Sequence, residues 1–375
     1  MHVGLNLVYL VPGETGGMET YARELIPALV EERPRLRLTA FVNVEAYEAG
    51  NGPWSALVDC VRVPVRARRR SEWVRGEQQL LPRLAAGAGV DVLHSLGSTA
   101  PVWGGFRRVV TIQDVIYRIY PEAHGGLRAR VMGVLVPLAA RRSHRVLVPS
   151  ESTREDLVRL LGVPPAKVDV APLGIGASAV EPSDEADLRR RLELDARRVV
   201  LSASAKRPHK NLIRLLDAWA LLPVDRPVLV LPGYPTPYEA ELRGHAAQLG
   251  LDADVRFPGW IPASDLECLY RIASCVVFPS LYEGFGLPVL EAMARGVPVA
   301  CSDRGSLREV AGGAARFFDP ESTRAIADAV AGLLGDTAAA ERLRVAGLEQ
   351  ASRFTWSATA RATLHSYEVA LGSAV

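Results

Sequence analysis

The stretch Ser280-Leu281-Tyr282-Glu283-Gly284-Phe285-Gly286-Leu287-Pro288-Val289-Leu290-Glu291-Ala292-Met293-Ala294 says more than any other part of this 375-residue chain. It follows the apolar run Cys275–Phe278 directly, so a buried strand leads into a glycine-rich turn and then a helix. Gly284 and Gly286 free the backbone for a tight turn and for close approach to a ligand. Pro288 falls near the helix start, where backbone N–H groups have no intrahelical partner in any case. Those N–H groups, with the helix dipole behind them, suit a phosphate. Two carboxylates flank the turn. Glu283 lies just before it, and Glu291 lies eight residues later. If the helix begins near Leu287, Glu291 sits about one turn inside it, where a carboxylate can reach vicinal hydroxyls.

The strand–turn–helix pattern recurs along the chain. Short runs rich in Val, Ile and Leu predict strands at Val3–Leu10, Leu36–Val42, Val90–His94, Val109–Ile112, Arg145–Val148 and Val168–Ala171. After a break come Val199–Ala203, Val228–Leu231, Val255–Phe257, Cys275–Phe278, Val297–Cys301 and Ala315–Phe317. Continuous rather than alternating apolar runs suit parallel strands buried on both faces, joined by helices. Two such series imply two doubly wound α/β domains. The polar, turn-rich Glu181-Pro182-Ser183-Asp184-Glu185 reads as a linker, and the boundary falls near residue 175.

Two further loops have the chemistry of an anion site. The chain has 44 basic residues, of which only three are lysines, and two of these, Lys206 and Lys210, fall in Ser202–Leu212 between a strand and a helix. A compact ammonium on a flexible stem suits a phosphate oxygen and is not interchangeable with Arg. Pro12-Gly13-Glu14-Thr15-Gly16-Gly17-Met18 follows the first strand and is again able to present N–H groups to an anion. It lacks GxGxxG, so the dinucleotide fingerprint is absent.

With its Glu-x7-Glu spacing, the segment from Glu283 to Glu291 resembles the donor signature of family 4 retaining glycosyltransferases, which have the GT-B fold. The resemblance implies two Rossmann-like domains facing a central cleft: an acceptor-binding domain at 1–174, joined by a crossover helix at 355–375, and a nucleotide-sugar domain at 175–354. Glu291 would hold ribose hydroxyls and Glu283 hydroxyls of the transferred sugar, while the backbone of Gly284, Phe285, Gly286 and Leu287 would meet the diphosphate. Lys210-Asn211 matches the family's Lys-Asn pair, so Lys210 would neutralise the leaving diphosphate, with Arg207 or Lys206 standing in for an upstream Arg that this chain replaces by Ala205. Gly16 and Gly17 resemble the loop that approaches the diphosphate from the other domain. Glu77-Gln78, Asp91–Ser95 and Tyr120-Pro121-Glu122 also resemble the family's first domain. Gln113-Asp114 stands where the family usually has His-Asp. Gln cannot titrate near neutral pH, which excludes a charged imidazole there. Asp114 remains a candidate catalytic residue, and Gln113, His124, Arg68 and Arg69 are candidates for the acceptor.

The implied activity is metal-independent transfer of a hexosyl unit, with retention, from a nucleoside-diphosphate sugar to a glycan, lipid-linked or small-molecule acceptor, with no cofactor. Asp252-Ala253-Asp254 formally matches a metal-binding Asp-x-Asp but reads as a solvated turn. A non-catalytic sugar-nucleotide-binding subunit and a nucleotide-sugar epimerase of the same fold are the alternatives. Residues 1–174 carry a net charge of +5 and the remainder −3, within a total of +2. That is too little for a dedicated nucleic-acid binder. Within the first part, Arg66, Arg68, Arg69 and Arg70 form either a solvated loop or a clamp for an anionic acceptor or membrane. The four cysteines are widely spaced in apolar surroundings and suggest neither zinc nor disulfides. The chain shows no leader and no apolar stretch of the ~20 residues a span requires. It is therefore expected in the cytoplasm, with weak peripheral contact at the inner membrane face left open.

Overall fold

The computed structural model describes residues 1–121, 126–176 and 180–372, with the side chains of 126–128 excepted. His124 lies outside the described residues. The chain divides into two units, Met1–Gly174 together with the segment beginning at Thr355, and Ile175–Phe354.

The first unit is built on seven parallel strands: β1 (His2–Leu7), β2 (Arg37–Val42), β3 (Asp59–Arg62), β4 (Val92–Ser95), β5 (Arg107–Thr111), β6 (Arg145–Val148) and β7 (Val168–Val170), in the order β3-β2-β1-β4-β5-β6-β7. The second has six parallel strands: β8 (Val199–Leu201), β9 (Val228–Pro232), β10 (Val255–Gly259), β11 (Ala273–Phe278), β12 (Val299–Ser302) and β13 (Arg316–Phe318), in the order β10-β9-β8-β11-β12-β13. Both are doubly wound α/β sheets, as expected from the continuous apolar runs. β1 is buried along its whole length, which only a strand covered on both faces can be.

The strand the apolar pattern does not reveal is β3. Asp59-Cys60-Val61-Arg62 is short, exposed at both ends and placed at the sheet edge, where one side needs no apolar cover. Val3–Leu10 was too long a prediction: the strand stops at Leu7, and Val8 turns back to donate its N–H to Asn6 Oδ1 at 3.1 Å.

In each sheet the order reverses beside the first strand, between β1 and β4 and between β8 and β11. The connecting helices leave in opposite directions there and open a crevice at the carboxyl ends of the strands, where ligands bind in this architecture.

The helix Trp356–Leu371 packs on the first unit against the helix Gly17–Glu32 and the strands β4 to β7. His94 Nδ1 lies 2.7 Å from Tyr367 Oη, and His94 Nε2 lies 2.7 Å from Thr111 Oγ1. Burial lowers the imidazole to about 3, so it is neutral at physiological pH. Thr359 Oγ1 donates to the Pro172 carbonyl at 2.6 Å, and Arg33 pairs with Glu368 at 2.5 Å.

Candidate active site

The crevice between β8 and β11 receives both loops singled out by the sequence. After β8 the chain runs through Ser202–Arg207 into a short 3-10 turn at Pro208–Lys210, and the helix Leu212–Ala220 follows. Asn211 adopts a left-handed backbone at φ 60°, tolerable for Asn because its short amide bonds locally. Its Nδ2 donates to the Pro279 carbonyl at 3.0 Å and the Pro320 carbonyl at 2.8 Å. Asn211 thus ties the two loops together, and its amide N–H groups are committed to that task.

This tie brings Lys210 to Glu283. Nζ lies 2.6 Å from Glu283 Oε1, in a pair whose side chains are only 15% and 9% exposed. The ammonium also sits 5.3 Å above the Phe278 ring. Ser306 Oγ donates to the Glu283 carbonyl at 2.8 Å and holds the turn from behind. Gly286 has φ 107°, and a Cβ there would meet Leu307 Cδ2 at 2.5 Å, so only glycine fits. Phe285 is buried edge-to-face on Phe354, with centroids 5.8 Å apart, leaving the turn its backbone to offer. The helix Leu287–Ala294 starts next, with Pro288 in its first turn.

Glu291 lies on that helix and accepts from Tyr270 Oη at 3.1 Å. Burial raises its carboxyl, outweighing the lowering by Arg295 and by the tyrosine bond. Arg295 is held by Glu267 and stacks over the Tyr270 ring at 4.8 Å. Lys206 differs from Lys210. It is fully buried, its Nζ donates to the Ser204 carbonyl at 3.0 Å, and burial lowers it to about 8.

Sequence reasoning passed over three serines here. Ser202, Ser204 and Ser280 follow β8 and β11, and the Oγ of each is buried with no partner among the described residues. A serine straight after an apolar run at a switch point is the signal that could have found them.

In the first unit, Gly16 caps the helix Gly17–Glu32 at φ 57°, and neither it nor Gly17 has an atom within 4 Å of an added Cβ. The preceding loop is closed by Thr15 Oγ1 on the Val11 carbonyl at 2.7 Å and by Glu19 Oε2 accepting from Gly13 N at 2.8 Å. Asp114 Oδ1 accepts from Ile116 N at 2.9 Å, and Gln113 Nε2 is buried with no partner among the described residues. The arginine run is not a set of free cations. Arg68 pairs with Glu14 at 2.5 Å, Arg69 with Glu72 at 2.8 Å and Arg66 with Glu48 at 3.5 Å. The Asp-x-Asp turn is likewise engaged: Asp254 pairs with Arg197 and Arg226.

Two Rossmann-like parallel-sheet units, the second with a lysine–glutamate pair and a glycine turn at its switch point, define an α/β glycosyltransferase scaffold of the GT-B type. The model of Glycosyltransferase Family 4 matches residues 15–178, and that of Glycosyl transferases group 1 matches residues 184–350. An O-antigen chain mannosyltransferase B of Escherichia coli is 32% identical over 269 residues, 70% of this chain and 70% of its own. A D-inositol 3-phosphate glycosyltransferase of Frankia alni is 32% identical over 318 residues, 80% of this chain and 74% of its own. Among solved structures, sucrose-phosphate synthase of Thermosynechococcus elongatus superposes with a TM-score of 0.80 at 24% identity, over 100% of both chains, which speaks for the fold alone. The chain belongs to family 4 of the glycosyltransferases, and it is a transferase of glycosyl groups.

Proposed function

We propose that the protein transfers a hexosyl unit from a nucleoside-diphosphate sugar to a hydroxyl of a glycan, lipid-linked or small-molecule acceptor, with retention and without a metal. The observation that carries this reading is the buried Lys210–Glu283 pair at the β8/β11 switch point. With donor bound, Lys210 faces a phosphate oxygen of the leaving diphosphate and Glu283 accepts from sugar hydroxyls. Glu291 takes the ribose. Arg207 and the N–H groups at the start of Leu287–Ala294 complete the positive surroundings, so fixed charge stabilises the departing anion. Glu283 accepts hydroxyls rather than attacking carbon, so the anomeric C–O bond to the diphosphate breaks as the acceptor oxygen bonds on the same face. The acceptor proton passes to the leaving phosphate oxygen. The acceptor is taken by the first unit, with Gln113 and Asp114 as its candidate contacts.

The test is a panel of UDP, GDP, ADP and dTDP sugars, with mannosyl donors first because of the E. coli relative's name. One nucleotide should raise the melting temperature, and its sugar should be transferred in the presence of EDTA with the anomeric configuration kept. Transfer that requires a divalent cation, or that inverts the configuration, overturns this mechanism.

A further inference from the structure

The first unit's positive charge does not reside where the sequence concentrates arginines. Three residues of the run at 66–70 are paired with carboxylates. A different set gathers at the opposite edge of the sheet from the switch point, where β5, β6 and β7 begin. Arg107 and Arg108 open β5, Arg141 and Arg142 close the helix Gly126–Arg142, and Lys167 precedes β7. Backbone carbonyls lock them together. Arg108 Nε donates to the Arg142 carbonyl at 3.1 Å, Arg108 Nη1 to the Gly104 carbonyl at 3.1 Å, and Lys167 Nζ to the Arg141 carbonyl at 2.7 Å.

None of the five has a carboxylate partner among the described residues. Of the acids nearby, Asp169 is paired with Arg145, while among the described residues Asp91 accepts only the His2 N–H at 2.7 Å and keeps its charge, so the five cations leave this end positive in balance. The crowding is felt: burial and neighbouring cations together lower Arg108, Lys167 and His144. Beside the cluster stands Trp103, 45% exposed, one residue before the Gly104 carbonyl that Arg108 holds.

We infer that this edge is a docking surface for a bilayer containing anionic phospholipid. Uncompensated arginines attract acidic headgroups, and an exposed indole beside them suits the interfacial layer. The chain's near-neutral total argues against nucleic acid as the partner.

The test is flotation of the full chain with vesicles of phosphatidylcholine alone or mixed with phosphatidylglycerol, at low and high salt. Binding should require phosphatidylglycerol and fall with salt. Each cation at an anionic surface changes partitioning roughly fivefold, so the triple variant R107S/R141S/R142S should bind about a hundredfold more weakly. W103A should weaken binding by less, while R66S/R68S/R69S should stay within about twofold of the wild type, its charges being paired already. Circular dichroism melting checks that the variants fold, and R107S alone, at an exposed side chain, keeps the test standing if the triple does not. Partitioning that ignores phosphatidylglycerol, or that survives in R107S/R141S/R142S, overturns the proposal. So does loss of binding on adding inorganic phosphate at unchanged ionic strength, which points to a free-phosphate site. Retention by an RNA homopolymer through the same arginines, without vesicle binding, assigns the surface to nucleic acid instead.

Discussion

The two switch points share a topology and differ in how they are filled. Between β8 and β11 the crevice holds an ion pair and three serine hydroxyls with no partner among the described residues. Between β1 and β4 it is plugged. Glu77, on the π-helical turn Gly76–Leu80, is 1% exposed, and its Oε1 accepts from Asn6 Nδ2 at 3.0 Å and Thr99 Oγ1 at 2.8 Å. Asn6 Nδ2 also donates to Ser95 Oγ at 3.0 Å, and Glu77 Oε2 accepts from Gln78 Nε2 at 3.2 Å. No cation pairs with this carboxyl among the described residues, and burial outweighs its three hydrogen bonds to raise it. One crevice leaves hydroxyls without partners among the described residues, while the other joins its polar groups in hydrogen bonds. The same backbone topology thus leaves polar groups open at one switch point and ties them to one another at the other.

The largest expected effect breaks the binding side of this contrast. K210A should lower kcat/KM for transfer by roughly a hundredfold to a thousandfold, the scale of removing one donor from a preorganised anion site. E283Q should do much the same, and the double variant should cost far less than the product of the two, because the residues act as a unit. Additive losses would separate them into independent roles. On the cohesive side, E77A should leave buried donors unpaired and lower unfolding stability by about 1–3 kcal/mol, read by chemical denaturation. The smaller E77Q change sharpens the point through pH. A carboxyl raised in the folded state stabilises fully below its ordinary range near 4.5, and that contribution fades as pH climbs through the folded value. The wild type should accordingly lose stability over that rise, and E77Q should flatten the slope; parallel profiles would mean that Glu77 does not titrate abnormally.

The sequence made the candidate site between β8 and β11 legible because its markers are local. Strand, glycine turn and Glu-x7-Glu lie in one stretch, and Lys210 stands out against a background of arginine. Twelve of the thirteen strands follow from apolar runs, and β3 escapes because an edge strand needs less apolar cover. The cohesive crevice was not legible as such. The Glu77-Gln78 motif is visible in the sequence, but the donors that bury it come from β1 and the loop after β4, joined only in space. Charge shows the same limit. A contiguous run of arginines drew notice although most of it is paired, whereas five cations that gather in space without a carboxylate partner among the described residues are scattered in sequence over Arg107-Arg108, Arg141-Arg142 and Lys167.

The helix Trp356–Leu371 has a consequence for synthesis. Residues 175–354 form an insertion whose two ends meet, Ile175 donating its N–H to the Phe354 carbonyl at 3.0 Å. That insertion has all its own strands once residue 354 has left the ribosome, and domains generally fold as units during synthesis. The first unit, begun earlier, must wait for Tyr367 to reach His94 and Thr359 to reach the Pro172 carbonyl. The part of the protein made first is therefore the part finished last.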